Sequence, residues 1–169
     1  MNLFKKTLFA AGMLITLISL FACTSATVDE AGSKIADFDL PAGYTFEFNT
    51  SMLGYTVASY KGPNGPSHLY LIQSEQESDR DELAKMLTQL VPGAGDLDSD
   101  ITVIENRPAT IRGQDVTLIV SEGLNSANVP YRQVTAAFEG KGGPTLLVFS
   151  ETVGAWDQAA VDEFIASIR

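Results

Sequence analysis

Tyr131-Arg132-Gln133-Val134-Thr135-Ala136-Ala137-Phe138, then Gly140-Lys141-Gly142-Gly143, then the run Thr145 to Glu151, set two β-rich segments on either side of a glycine-rich break. Residues of this kind favour the pleated, half-buried surface of a strand, and a short break between two such runs is the sequence mark of an antiparallel hairpin. The pattern recurs upstream. Tyr44-Thr45-Phe46-Glu47-Phe48 alternates aromatic and polar side chains, with Pro41 and Gly43 before it, the period of a strand with one wet face. Leu53 to Lys61, the turn Gly62-Pro63-Asn64-Gly65-Pro66 and the run His68 to Gln73 read as another hairpin. Between the two hairpins, Ile101 to Glu105 is β-branched, Arg107-Pro108 reads as a turn or kink, and Gly113 marks a further turn. Val116-Thr117-Leu118-Ile119-Val120 is almost wholly apolar or β-branched and is expected to be a central, buried strand.

Elsewhere the period changes. Leu83, Met86, Leu87, Leu90 and Val91 recur at spacings of three, four, seven and eight, which places them on one face of a helix. Ser78 and Asp81 have the spacing of a capping box, and Asp79, Asp81 and Glu82 put anions in the first turn, where the helix dipole favours them. Pro92-Gly93 ends the segment. Trp156, Ala160, Val161, Phe164, Ile165 and Ile168 share a second helical face, with Asp157, Asp162 and Glu163 opposite. The order is strands, helix, about four strands, helix, with no internal repeat. It predicts one α+β domain over residues 37–169: a mainly antiparallel sheet of about six to seven strands with two packed helices.

The residues before this domain have a different character. Lys5 and Lys6 precede an uncharged run from Leu8 to Ala22, which at about fifteen residues falls short of the ~20 needed to span a bilayer and fits the apolar region of a signal peptide. Leu20-Phe21-Ala22-Cys23 resembles the bacterial lipobox: an aliphatic residue, a variable one, a small one, then cysteine. That resemblance implies removal of residues 1–22, diacylglycerol on the Cys23 sulfur and often a fatty acyl group on the new amino terminus. Cys23 is the sole cysteine, so a lipidated sulfur leaves neither a free thiol nor a disulfide. Residues 23–36, small and polar without apolar periodicity, read as a flexible tether. Thr24 follows the cysteine where an Asp would resemble an inner-membrane retention signal. The expected location is the periplasmic side of the outer membrane in a Gram-negative host, and otherwise the outer face of the cell membrane.

Three stretches of the domain carry a second resemblance: Leu40-Pro41-Ala42-Gly43-Tyr44 leading into the first strand, Ile101 to Gly113 with its Pro108, and Phe164-Ile165-Ala166-Ser167-Ile168. Together with the element order they resemble the PsbP and LpqN families, which implies an antiparallel sheet with flanking helices and an accessory or assembly role more often than an enzymatic one.

Charge narrows the partners. Loss of Lys5 and Lys6 with the signal takes the net charge from −10 to −12, with nine cations against 21 anions. So acidic a chain is a poor match for nucleic acid phosphates or for an anionic lipid surface. At 147 residues after Ala22, a chain buries roughly two-thirds of its unfolded surface and needs no disulfide or metal to hold a core.

The chemistry-bearing candidates are few. His68 is the single histidine and stands beside Ser67. Neighbours on a strand point to opposite faces, so the two do not make a nucleophile–base pair. Asp96, Asp98 and Asp100 have the alternation of a calcium loop, but Ile101 and Arg107 stand where an EF-hand needs Gly and Glu. A looser site would have to add Glu105. Zinc lacks its soft ligands. Trp156 is expected in the core or as a lid. No catalytic residue and no metal or cofactor beyond the Cys23 lipid is expected. The reading from sequence is a non-enzymatic, membrane-anchored binding or accessory domain that recognises another envelope protein. The alternative is a carrier with an apolar pocket lined by Tyr44, Phe46, Tyr55, Trp156 and Phe164. A carboxylate hydrolase would need two acids converging with raised pKa values.

Overall fold

A computed structural model describes residues 30–64, 67–91, 94 and 101–169. The elements are α1 (Glu30–Ile35), β1 (Thr45–Met52), β2 (Tyr55–Lys61), β3 (His68–Ser74), α2 (Arg80–Leu90), β4 (Thr102–Ile111), β5 (Gln114–Leu124), β6 (Pro130–Glu139), β7 (Pro144–Thr152), a 3-10 turn (Val153–Ala155) and α3 (Gln158–Ser167). The strands form one seven-stranded sheet in the order β1-β2-β3-β7-β6-β5-β4, antiparallel at every pairing. The fold is therefore α+β, as expected. The two helices read from apolar periodicity are α2 and α3.

β7 explains why the sheet is a single one. The hairpin it forms with β6 is the stretch with the clearest turn signal, and β7 then pairs with β3. That pairing joins the three-stranded first half to the four-stranded second half. β7 is central, so Thr145 to Glu151 is buried on both faces. One face carries Ala58, Tyr60, Leu69, Leu71, Leu118, Val120, Val134, Leu147 and Phe149 under α1 and α3. The other carries Val57, Tyr70, Ile72, Leu146 and Val148 under Leu83, Leu87 and Val91 of α2.

Five local expectations are corrected. Residues 30–36, read as the end of a tether, are ordered: α1 lays Ile35 at 0 % exposure and Ala36 at 1 % into the core. The second strand starts at Tyr55, because Leu53 and Gly54 are a two-residue turn with φ of 54° and 80°. Positive φ at both positions matches the strand twist across a tight hairpin. Arg107 and Pro108 lie inside β4 and cause no break. β4 is an edge strand paired only with β5, where proline's missing N–H need not cost a ladder bond. Val116–Val120 belongs to β5, second from the edge and not central. Finally, Asp79 and not Ser78 caps α2: the Asp79 carboxylate accepts from Glu82 N at 2.9 Å, while Ser78 donates to Ser74 Oγ.

Candidate functional site

An apolar concavity lies where the chain after α1 meets α3. Asp37 and Arg169 exchange backbone hydrogen bonds, Asp37 N to Arg169 O at 3.1 Å and Arg169 N to Asp37 O at 2.7 Å. Asp39 N then donates to Ser167 Oγ at 3.0 Å, and that hydroxyl donates to Phe164 O at 2.7 Å. Phe38 sets its ring edge-on against Tyr60 and Phe164, with centroids 5.7 and 5.9 Å apart. These ties hold Leu40, Pro41 and Ala42 beside α3 across a groove of about 240 Å³, floored by Phe164 and walled on the helix side by Ala160. Asp39 and Glu163 stand at its rim. Asp39 meets Arg169 at 3.4 Å with both side chains mostly in solvent, a geometry in which an ion pair is weak and readily exchanged. Leu40–Ala42 and the Phe164–Ser167 stretch of α3, far apart in sequence, thus face each other here.

Ser67 and His68 diverge as strand geometry requires. Ser67 is buried and donates to the Glu151 carboxylate, which also accepts from Thr152 N at 2.8 Å. Burial, with Glu151 nearby, pushes the Tyr44 phenol upward. On the other face His68 Nε2 stands 3.8 Å from Glu47 Oε2 and its ring stacks on Tyr70, centroids 5.4 Å apart. Ser59 donates to the same Glu47 oxygen at 2.7 Å.

Trp156 lies half-buried against the core just before α3. The Arg132 guanidinium sits 5.3 Å from its ring centroid, a favourable cation–π geometry, and Arg132 Nε donates to Glu122 Oε1 at 2.9 Å. Trp156 Nε1 donates to Gln158 Oε1 at 3.2 Å, Gln158 Nε2 to Asp162 Oδ1 at 3.0 Å, and Arg107 to the same Asp162 oxygen. This chain of contacts fastens α3 over β4, β5 and β6. Nothing in the sequence joined Arg107 to Asp162, which lie 55 residues apart.

The aromatic residues expected to line a carrier pocket do not share one. Tyr44, Phe46, Trp156 and Phe164 belong to the core layer under α1 and α3, and Tyr55 packs on the opposite face. Phe149 takes up the space between them, 5.3 Å from Tyr44, 6.1 Å from Trp156 and 5.9 Å from Phe164 by centroid. Asp37 and Asp162 are held below the ordinary carboxylate range by hydrogen bonds from Lys141 and Arg107. That is the opposite sense to the raised pKa a general acid needs. Glu105 is exposed on β4. Asp96, Asp98 and Asp100 lie outside the described residues, as do Cys23 and the rest of 1–29. Among the described residues no cluster of His, Cys, Asp or Glu is arranged to hold a metal ion, and no helix is long and apolar enough to cross a membrane. No family model and no curated protein matches the chain.

Proposed function

We propose that the chain is a bacterial envelope lipoprotein, anchored by lipid on Cys23, whose domain is a non-enzymatic binding or accessory module for another envelope protein. The groove between Leu40–Ala42 and α3 carries the binding half of this reading: an apolar concavity with carboxylates at its rim, on a rigid frame. The anchoring half rests on Lys5, Lys6, the uncharged run to Ala22 and the lone cysteine at the lipobox position. The antiparallel sheet with helices on both faces agrees with the arrangement expected of PsbP- and LpqN-like domains, although a fold alone assigns no activity. Carriage of a lipid is the less favoured alternative, because the aromatic residues expected to line its pocket are divided between the two core layers.

The test is a crosslinking pull-down from intact envelopes with wild type and Cys23→Ala, alongside labelling with a radioactive fatty acid. The expected result is label in wild type alone, and discrete partners that are depleted when the anchor is lost. Equal labelling of both proteins refutes the anchor. Absence of any specific partner from the wild-type envelope refutes the binding role.

A further inference from the structure

We infer that the groove seats an extended segment of the partner protein that presents one large apolar side chain flanked by lysine or arginine. This deepens the proposed binding role and rests on it. Three features select that occupant. The floor and walls, Phe164, Leu40, Pro41, Ala42 and Ala160, offer contact to an apolar group, and the volume suits a side chain. The rim groups Asp39 and Glu163 are exposed carboxylates. Among the described residues the cation that meets Asp39 is Arg169 at 3.4 Å, with the pair 62 % and 75 % exposed. An incoming lysine or arginine can replace that contact at small cost, since such a pair is screened by water and salt. The mature chain's net charge of about −12 draws a basic segment toward the domain and repels an acidic one, a second copy of this chain included.

Other exposed apolar residues provide the control. Val103 and Ile104 on β4 and Leu53 at the first hairpin are more than 45 % exposed. A segment that sought apolar surface alone would bind there as well. The groove differs from them in joining a concavity to two carboxylates, Asp39 and Glu163.

The experiment uses the full lipidated chain in nanodiscs and two capped five-residue peptides. Each has a photoreactive leucine at its centre, flanked by lysines in one and by glutamates in the other. Crosslinked positions are read by mass spectrometry. The lysine peptide is expected to label residues 40–42 and 160–167 and to exceed the glutamate peptide. Ala160→Trp, which fills the groove, and Glu163→Lys, which reverses its rim, should each lower that yield roughly five- to tenfold, the scale of losing one well-packed interface contact. Unchanged circular dichroism confirms that both variants fold. Equal yields from the two peptides, labelling concentrated at Val103, Ile104 or Leu53, or full labelling of both variants overturns the inference. Envelope partners that survive Ala160→Trp also overturn it while leaving the binding role standing; loss of partners from wild type itself removes the role.

Discussion

Arg107 on edge strand β4 donates to the carboxylate of Asp162 on α3, and this bond joins the last helix to the outermost strand of the sheet. The hydrogen bond from Arg107 is the main reason that Asp162 is held below its ordinary 3.8, with burial opposing it. A carboxyl whose folded pKa is depressed adds stability that is fully present above its unfolded pKa and is lost as pH falls through the folded one. Stability is therefore expected to begin falling near pH 4 and to continue below it. Asp162→Asn should flatten that acid limb. Because Asp162 is 46 % exposed, the loss at neutral pH should be no more than about 1 kcal/mol. Urea titrations at pH 7 and at pH 3.5 check both statements; an unchanged acid slope in Asp162→Asn would remove the pair from the account.

Leu53 offers the reverse case, a residue whose replacement should help. It holds φ of 54° in the β1–β2 turn and is 76 % exposed. A left-handed backbone costs an L-residue with a bulky side chain about 1–2 kcal/mol, and asparagine tolerates it better. Leu53→Asn is expected to raise Tm by about 2–4 °C, corresponding to about 1 kcal/mol in a domain of this size. Arg112 has the same strain at φ of 53°, but its guanidinium also donates to Ile35 O at 3.3 Å. Arg112→Asn should gain less. Calorimetry of the two variants decides, and a fall in Tm for Leu53→Asn would show that the turn does not limit stability.

The same turn shows how far the sequence could be read. Strands announced by β-rich runs on either side of a glycine or proline turn and helices announced by a 3.6-residue period were legible: β6, β7, β3, α2 and α3 all lie where those patterns put them. Leu53 was not readable as a turn residue because nothing local favours leucine at positive φ. Pro108 was readable as a break only if β4 were interior; edge position is a property of the whole sheet. The groove depends on Asp39 meeting Ser167, 128 residues away. Its two walls are separate stretches of sequence, and no periodicity connects them. The lipobox reading of Cys23 is the opposite case: it rests on sequence alone and falls outside the described residues.

Gly143 tests the junction between the β6–β7 turn and β3. Its φ is 139°, and a Cβ added there would lie 2.2 Å from Ser74 O. The obstacle is backbone and cannot rotate away, so Gly143→Ala combines conformational strain with a clash. The expected loss is at least about 1–3 kcal/mol, the range for overpacking a filled site. A chevron or equilibrium denaturation series measures it; a change within 0.5 kcal/mol, as at an ordinary surface position, would show that the turn rearranges freely.

Ile35 distinguishes α1 from a tether. Glu30-Ala31-Gly32-Ser33-Lys34-Ile35 looks like linker because its residues are small and a single large apolar one closes it. The packing comes from outside the segment: Ile35 O accepts from Lys141 N at 2.8 Å, and the Ile35 side chain is fully buried. Ile35→Ala should cost about 2–5 kcal/mol, as for other buried aliphatic truncations, whereas the same change in a true linker would cost nothing measurable. Denaturant midpoints of wild type and Ile35→Ala separate the two.

If Cys23 bears the lipid, the burial of α1 also shortens the leash. Only residues 23–29 remain between the anchor and the first helix, and seven residues reach at most about 25 Å even when fully extended. The domain is then confined to a shell about one domain diameter deep above the bilayer, and it can engage only partners that present their binding segment within that shell. Inserting fourteen glycine and serine residues between Thr27 and Val28 would triple the maximum reach to roughly 75 Å without touching α1. Thermal stability should be unchanged, because the insertion lies before Ala31, the first buried residue among those described. Crosslinks in intact envelopes should shift from the wild-type partners toward a broader set at lower yield, since a longer linker dilutes the effective concentration of the domain near the membrane. An identical set of partners at identical yield would show that distance from the bilayer does not select them.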